Sequence, residues 1–342
     1  MRKKIDSGKA TMKTLSKVLG LSTATISKAL RDSYEISTET KARVLAVAQE
    51  YNYVPNPHAS SLRKQSSNTI AIVLPEIADS FFSQAINGIE SIVGDKKYHA
   101  LIYLTHDSCE REAHMFGELA GGRVDGVLMS VASNTKDTGH ITKLQQTGVP
   151  VVFFDRACND VAGATVITDD LHSAYTATCH LLDQGCKSIS LVTVEGFPSV
   201  FAARYEGYKK ALTERGRAVN DAQVLTCSNK FSQQNIDLIK QHLQAIKPDG
   251  LLLTVEHLST EAYLACAELG VQIPQQIKIA CFTNQVTAPI LNPPLTTMQQ
   301  PAFEIGKKAA ELLFEHLAGK PIQLDQEHIV LPSTLVPRKS TE

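Results

Sequence analysis

From Asn68 onward, short apolar runs alternate with segments long enough to form a helix, and this alternation restricts the fold more than any other feature. The apolar runs occupy residues 70–74, 100–104, 126–131, 149–154, 164–167, 188–194, 250–255 and 277–282. Strands that are apolar throughout are typical of parallel sheets covered by helices on both faces. Because parallel crossovers are right-handed, such strands form doubly wound units. Two units in series predict an α/β body of two doubly wound lobes, with a ligand crevice between them.

The first part of the chain lacks this alternation and is predicted to form short helices. One amphipathic segment ends at Gly20, and Ser22 and Ser37 can each N-cap a further helix. Pro55 and Pro57 then break the helical pattern. The chain is therefore predicted to carry an all-α helix-turn-helix head before the α/β body.

These changes of pattern predict three segments. They are a head at residues 1–55, a hinge helix and linker at residues 56–67, and a two-lobed body at residues 68–342. Within the body, the N-lobe is expected to comprise about residues 68–167 and 299–326, and the C-lobe about residues 168–298 and 327–342.

The net charge of −1 conceals an asymmetry between the two ends of the chain. Residues 1–65 contain 12 Lys and Arg against five Asp and Glu, whereas the remainder contains 22 against 30. A basic head on an acidic body is the arrangement that attraction to nucleic-acid phosphates would require. A partner of the head is therefore expected to be DNA.

The composition argues against a membrane protein and against a metal or disulfide framework. The sequence has no apolar run of 18 residues, and no apolar segment follows the basic N-terminus. Its seven cysteines are scattered and never form a CxxC pair, which is typical of reduced thiols. We expect a cytoplasmic, nucleoid-associated protein without a cofactor.

Residues 13–31 have the pattern of a helix-turn-helix. Gly20 supplies the permissive backbone of a tight turn, and Leu15 and Ile26 lie where the two helices would face each other. The second helix then exposes side chains short or polar enough to approach bases or phosphates, namely Thr23, Ala24, Thr25, Ser27 and Lys28. An ordinary αα-hairpin with a polar face is the alternative interpretation.

Several spaced motifs then resemble the LacI/GalR family of bacterial regulators. They are Tyr-x-Pro-Asn-x-x-Ala-x-x-Leu-Arg at residues 53–63, Asp-Arg at 155–156, Arg-x-x-Gly-Tyr at 204–208 and Leu-Pro-x-x-Leu-Val-x-Arg at 331–338. The resemblance covers the chain from about Thr11 to Arg338. It implies a periplasmic-binding-protein-like body after the DNA-binding head.

The resemblance also implies roles in DNA binding. Leu62 matches a leucine that wedges open a base step in the minor groove, with Ala59 one helical turn before it. Thr23 and Ala24 match the variable pair that reads bases, and Lys28 stands where an arginine is usual. Phosphate-contacting or capping roles are expected for Thr14, Ser22, Thr25, Ser27 and Asn56.

For the body, the resemblance implies a small-molecule effector between the lobes. The candidate residues are Phe81, Phe82, Asp155, Arg204, Phe231, Glu256 and Asn284. Phe82 and Phe231 are candidate stacking rings, although Phe81 and Phe82 could equally be core, and Asp155 could cap a turn. Val255-Glu256 and Thr283-Asn284 depart from carboxylate-bearing pairs common in the family, which leaves a simple neutral sugar in doubt.

The expected function is a sequence-specific transcription regulator, a repressor, that binds a near-palindromic operator as a homodimer. An effector in the crevice, a sugar or related metabolite, would modulate its affinity for DNA. The alternative is a body that binds a protein partner, or serves only for dimerisation. No catalytic motif of a nucleotide-binding, hydrolase or zinc-peptidase type occurs, so no enzymatic activity is expected.

Overall fold

A computed structural model describes residues 10–53, 66–158, 160–196, 198–320 and 323–342, with residues 198 and 199 as backbone only. The chain divides into two compact units, with the boundary between Ser67 and Asn68. Within the described ranges, no helix is both long and apolar enough to cross a membrane.

The first unit contains three helices: α1 at Met12–Leu19, α2 at Thr23–Leu30 and α3 at Thr38–Glu50. Ser22 and Ser37 N-cap α2 and α3 as predicted, because each side chain accepts the backbone N–H three residues later. Gly20 ends α1 in the left-handed region at φ 68°, a conformation that glycine adopts without strain. The core of the unit consists of Leu15, Ile26, Ala29, Val44 and Ala48.

Two apolar residues of the head do not lie in this core. Val18 of α1 and Leu45 of α3 are 43% and 49% exposed. In a bundle of three short helices, only a narrow stripe of each helix faces the other two. Both residues therefore lie beside the buried stripe and not within it.

The body contains two mainly parallel sheets, each of six strands in the described residues. The first has the order β11–β5–β4–β3–β1–β2, and the second β12–β10–β9–β8–β6–β7. The strands are β1 Thr69–Leu74, β2 His99–Leu104, β3 Gly126–Met129, β4 Val151–Phe154, β5 Ala164–Thr168, β6 Ile189–Val194, β7 Val224–Cys227, β8 Gly250–Leu253, β9 Lys278–Phe282, β10 Thr296–Gln299, β11 His328–Leu331 and β12 Thr334–Val336.

Helices cover both faces of each sheet. They are α4 Ser80–Val93, α5 Cys109–Leu119, α6 Gly139–Gln146, α7 Asp170–Asp183, α8 Pro198–Glu214, α9 Gln233–Ile246, α10 His257–Leu269 and α11 Ala302–Leu317. Each sheet has an apolar core on both of its faces. The predicted fold class, a helical head with two doubly wound lobes, is confirmed.

The C-terminal segment departs from the predicted lobe boundary. Residues 327–342 were assigned to the C-lobe, but β11 pairs in parallel with β5 of the first sheet. Only β12 joins the second sheet, where it runs antiparallel to β10. Every second residue of this four-residue strand is exposed, a pattern that fits an edge strand of either sheet. Its lobe is therefore known only from the strand with which it pairs. At the boundaries, Thr168 lies in the first sheet and Gln299 in the second.

Glycines allow one helix pair of the first lobe to pack at backbone contact. A Cβ atom on Gly88 of α4 would lie 2.0 Å from the carbonyl oxygen of Phe303. A Cβ atom on Gly306 of α11 would lie 2.0 Å from the carbonyl oxygen of Ala85. Because both obstacles are backbone atoms, a side chain at either position requires the helices to separate.

Substituting one of these glycines is expected to destabilise the body. Gly306→Ala should lower the free energy of unfolding by about 2 kcal/mol, because the added methyl overpacks the α4–α11 contact. Gly117→Ala is the matched control, since Gly117 lies in exposed helix α5 with nothing within 4 Å of its Cβ position. It should stabilise by about 0.5–1 kcal/mol through helix propensity. Urea denaturation measures both, and equal effects of the two variants would contradict the packing argument.

Candidate functional sites: a helix-turn-helix surface and an interlobe crevice

The start of α2 presents a polar surface. Thr23 and Ala24 are both exposed in the first turn of the helix. Lys28, one turn further on, forms an ion pair with Glu35, and both side chains remain nearly half exposed. Ile26 is fully buried against the other helices and holds α2 in place. Short side chains on a helix anchored in this way can approach base edges in a major groove.

Other predicted contact residues have local hydrogen bonds. Ser22 Oγ accepts the Thr25 N–H at 3.1 Å and lies 2.9 Å from Thr25 Oγ1, so its capping role is present. Thr14 belongs to a capping box with Thr11 at the start of α1. Ser27 Oγ accepts from the Arg31 guanidinium at 2.9 Å, and Arg31 was not among the predicted residues.

The remaining predicted DNA-contact residues lie outside the described part of the chain. They are Asn56, Ala59 and Leu62. Their roles therefore stay predictions from the sequence resemblance.

The second candidate site is a crevice between the lobes of the body. Six of the seven predicted effector residues line it: Phe81, Phe82, Asp155, Arg204, Glu256 and Asn284. They belong to α4, to α8 and to loops that follow β4, β8 and β9, which meet because parallel strands end at the same edge of a sheet. The cavity volume is about 70 Å³. Pockets that enclose drug-sized ligands measure about 300–1,000 Å³, so this crevice has too little free space for such a ligand in the present arrangement of the lobes.

Phe231 does not lie in the crevice. Its side chain is 56% exposed and is not among the residues that line the cavity. It follows β7, the outermost strand of the second sheet, so its loop lies away from the central strands. The prediction of a stacking ring from this residue is therefore not supported. Phe81 and Phe82 are only 6% and 4% exposed and also belong to the core of the first lobe.

Arg204 is held rigidly at the wall of the crevice. Its Nε and Nη2 atoms each lie 2.7 Å from Asp170 Oδ1, and Nη1 donates to the Thr254 carbonyl. The guanidinium lies 4.1 Å from the centre of the Phe282 ring. A buried cation with a carboxylate, a carbonyl and an aromatic face as partners is fixed in orientation. Its uncommitted N–H groups can donate to a molecule in the crevice.

Asp155 and Arg156 form a second charged pair on the opposite lobe. Asp155 has a φ of 63° and accepts from Ser130 Oγ at 3.1 Å. Burial raises the pKa of the Asp155 carboxyl, and the adjacent Arg156 partly opposes this effect. Arg156 Nη1 in turn lies 2.8 Å from Asp107 Oδ1. No role was predicted from the sequence for Arg156 or Asp107, although Arg156 belongs to the Asp-Arg motif at residues 155–156.

Side-chain bridges join the lobes in the described part of the chain, and those of Glu256 and Asn284 come from residues that line the crevice. Glu256 accepts from the N–H and hydroxyl of Ser80 at the start of α4, with 3.1 Å for the N–H. Asn284 Nδ2 donates to Gln84 Oε1 at 2.9 Å. At the third bridge, Asn229 Nδ2 donates to Asp107 Oδ2 at 2.6 Å. Glu256 and Asn284, expected to face a ligand, therefore bind the opposite lobe directly.

Asp79 lines the crevice, although no role was predicted for it from the sequence. It N-caps α4, and its Oδ1 accepts the Phe81 N–H at 2.7 Å. Burial, together with the negative charge of Glu256, raises the pKa of Asp79 to about 6, although the Phe81 hydrogen bond opposes the shift. An aspartate immediately before a helix after a strand is the signal that could have identified it.

The Asp79 pKa predicts a pH dependence of stability. Because the pKa is higher in the folded than in the unfolded chain, the folded state binds more protons and loses stability as pH rises from about 4 to about 6. Asp79→Asn keeps an oxygen for the Phe81 N–H and removes the charge. Above pH 6 this variant should be more stable than the wild type by about 2 kcal/mol, with the gain vanishing near pH 4.

Urea denaturation between pH 4 and pH 8 measures this difference. Asp237→Asn is the control, because Lys240 lowers the pKa of this exposed carboxyl and the substitution should bring no gain at neutral pH. A stability gain of Asp79→Asn that is the same at every pH would contradict the assignment.

In the described residues, no group of three or more His, Cys, Asp and Glu side chains is arranged to hold a metal ion. The cysteines are free thiols, and burial raises the pKa of Cys186 to about 12.

Both units of the chain are similar to known protein families. The family model described as bacterial regulatory proteins, lacI family, matches residues 11–56. A model for a periplasmic binding protein-like domain matches residues 178–341. Catabolite control protein A of Priestia megaterium is 26% identical over 337 residues, which is 97% of this chain and 99% of that protein.

Solved structures share the fold. The lac repressor dimer bound to operator and the anti-inducer ONPF has a TM-score of 0.83 at 21% identity, covering 98% of this chain and 99% of that one. A LacI family transcriptional regulator from Enterococcus faecium with bound ribose has a TM-score of 0.69 at 28% identity, covering 80% and 98%. The two matches lie in order along the chain, so this protein is a DNA-binding regulator of transcription with a helix-turn-helix domain of the lacI family of bacterial regulatory proteins and a periplasmic binding protein-like domain.

Proposed function

We propose that this protein is a repressor that binds a near-palindromic operator as a homodimer, with an affinity modulated by a small molecule between the lobes of its body. The observation that carries the proposal is the crevice, where fixed polar groups and aromatic rings of both lobes meet in a protein with a helix-turn-helix. We infer that it acts in the cytoplasm, associated with the nucleoid, and that it is not an enzyme.

The DNA-binding part of the proposal rests on α2. Thr23 and Ala24 are exposed at its start, where a recognition helix contacts base edges. Lys28 would contribute charge to the interface, but it lacks the planar fork with which arginine reads guanine. We further propose that the segment at residues 56–67 acts as a hinge whose Leu62 wedges open a base step.

The effector part of the proposal rests on Arg204 and Asp155. They face one crevice from opposite lobes, so a ligand bonded to both would favour one arrangement of the lobes over another. Only such a difference in affinity between two arrangements can switch a regulator. The ribose-bound relative from Enterococcus faecium supports a carbohydrate or related metabolite as the ligand class.

A body without a small-molecule effector, which binds a protein partner or only dimerises, is the second candidate. It is favoured by the small cavity of about 70 Å³ and by the bridges that close it, such as Glu256 to Ser80. In this case, no metabolite would change operator affinity at fixed salt.

The proposal is tested by selecting the purified protein against random duplex DNA, and then titrating the recovered complex with metabolite pools at fixed salt. A near-palindromic site with ligand-dependent affinity is expected. A site that no metabolite affects would favour the second candidate, and failure to recover any sequence would contradict the role of α2.

Substitutions in α2 should separate base reading from charge. Thr23→Ala should change the preferred base at one position of each half-site. The difference in binding free energy between the right and the wrong base at that position should change by about 1–3 kcal/mol. Lys28→Ala should instead weaken binding to all sequences. It should also reduce the slope of log affinity against log salt concentration by about one, the contribution of one phosphate contact. Gln49→Ala, on the exposed face of α3, is the control. Competition binding against the selected site measures all three variants, and a uniform loss for Thr23→Ala would contradict base reading.

Arg204→Lys tests the crevice once an effector is found. The substitution keeps a positive charge beside Asp170 but removes the planar fork, so the effector affinity should fall at least roughly tenfold. Arg215→Lys is the matched control, because Arg215 pairs with Asp183 on the exposed surface of the same lobe. The effector concentration that half-saturates the change in operator binding is the measurement. An unchanged value for Arg204→Lys would remove Arg204 from the site.

A further inference from the structure

We propose that Glu256 is a built-in anion of the crevice, and that it makes the site selective for neutral or cationic ligands by excluding phosphorylated and carboxylated ones. This inference rests on the proposed effector crevice, and it adds the residue that sets the charge of the ligand.

The first support is the position of the Glu256 carboxylate at the N-terminus of α4. Helix N-termini attract anions because their first N–H groups lack partners within the helix. Here the Ser80 N–H donates to Glu256 Oε1 at 3.1 Å, and the Ser80 hydroxyl donates to Oε2. Thr283 Oγ1 also donates to Oε2 at 2.7 Å. The place where a ligand phosphate could bind this helix is therefore filled by a carboxylate from the other lobe.

The second support is that the arginines lining the described crevice already have acidic partners. Arg204 contacts Asp170 at 2.7 Å, and both side chains are largely buried. Arg156 contacts Asp107 at 2.8 Å and Asp155 at 3.5 Å. Because a carboxylate already offsets each guanidinium charge, an anionic ligand that bonded to the remaining N–H groups would meet no uncompensated positive charge.

The third support is the remaining negative charge. Asp79 and Asp155 line the same cavity as Glu256, so carboxylates outnumber guanidinium groups on its wall. A further anion would be repelled, whereas hydroxyl or ammonium groups can donate to these carboxylates.

The experiment uses the full chain and inorganic phosphate as the probe. Thermal unfolding midpoints of the wild type, Glu256→Ala and Glu256→Gln are measured over a phosphate titration at pH 7, with chloride holding the ionic strength constant. Glu268→Ala is the matched control, because Glu268 lies in α10, the helix that begins directly after Glu256, and its exposed side chain is paired to Lys240. All four proteins carry the same basic head, so phosphate binding there cancels in the comparison.

We expect the wild type and Glu268→Ala to respond alike and without saturation. Glu256→Ala should gain a saturable rise in midpoint, with phosphate affinity at least roughly tenfold higher, because a like charge in contact is removed and the helix N-terminus is vacated. Glu256→Gln removes the charge but leaves a side chain at the helix N-terminus, so its unfolding midpoint should rise less with phosphate than that of Glu256→Ala. If Glu256→Ala does not fold, the phosphate response of Glu256→Gln alone tests the proposal.

Two results would overturn the proposal. One is a phosphate response of the folded Glu256 variants that equals the wild-type response. The other is saturable phosphate binding to the wild type that Glu256→Ala weakens. Neither depends on operator binding or on a metabolite effect, so a failure here is distinct from a failure of the proposed function.

Discussion

The parallel direction of the strands is the constraint on which the rest of the body depends. Because β1, β4, β8 and β9 run the same way within their sheets, the loops that follow them gather at one edge. Asp79, Asp155 and Glu256 are far apart in the sequence, yet these loops bring them to one cavity. Covering both faces of each sheet with helices leaves this edge as the place where polar groups can meet.

The crevice combines rigidity within each lobe with replaceable contacts between the lobes. Arg204 and Asp170 belong to the same lobe and are buried together, so their pair persists in any arrangement of the two lobes. The bridges from Glu256 and Asn284 cross between lobes, and opening the crevice would break them. A ligand that replaced these bridges would be bound at little cost, because it would substitute one set of hydrogen bonds for another. Fixed walls with exchangeable closing contacts are what a two-state sensor requires.

Helix packing supplies the rigidity of the walls. In the first lobe, Gly88 and Gly306 bring α4 and α11 to backbone contact, which fixes the helix whose N-terminus faces the crevice. In the second lobe, a Cβ atom on Gly207 of α8 would lie 2.1 Å from the Leu171 carbonyl oxygen, so the helix that carries Arg204 is packed in the same way. Close-packed interiors have low compressibility. The polar groups that these helices carry to the crevice are therefore held in position.

The sequence by itself determined the helix-turn-helix and the two doubly wound lobes, because hydrophobic period, capping residues and motif spacing are local properties. Its resemblance to the LacI/GalR family identified six of the residues in the crevice. It did not determine the sheet of β11, because an alternation of exposed and half-buried residues fits an edge strand of either sheet. It also did not determine the outward position of Phe231 on an edge-strand loop. The partners of Glu256 and Asn284 also came only from the tertiary structure. Ser80 and Gln84 lie on the opposite lobe, 176 and 200 residues away from these partners, and such contacts depend on how the lobes meet.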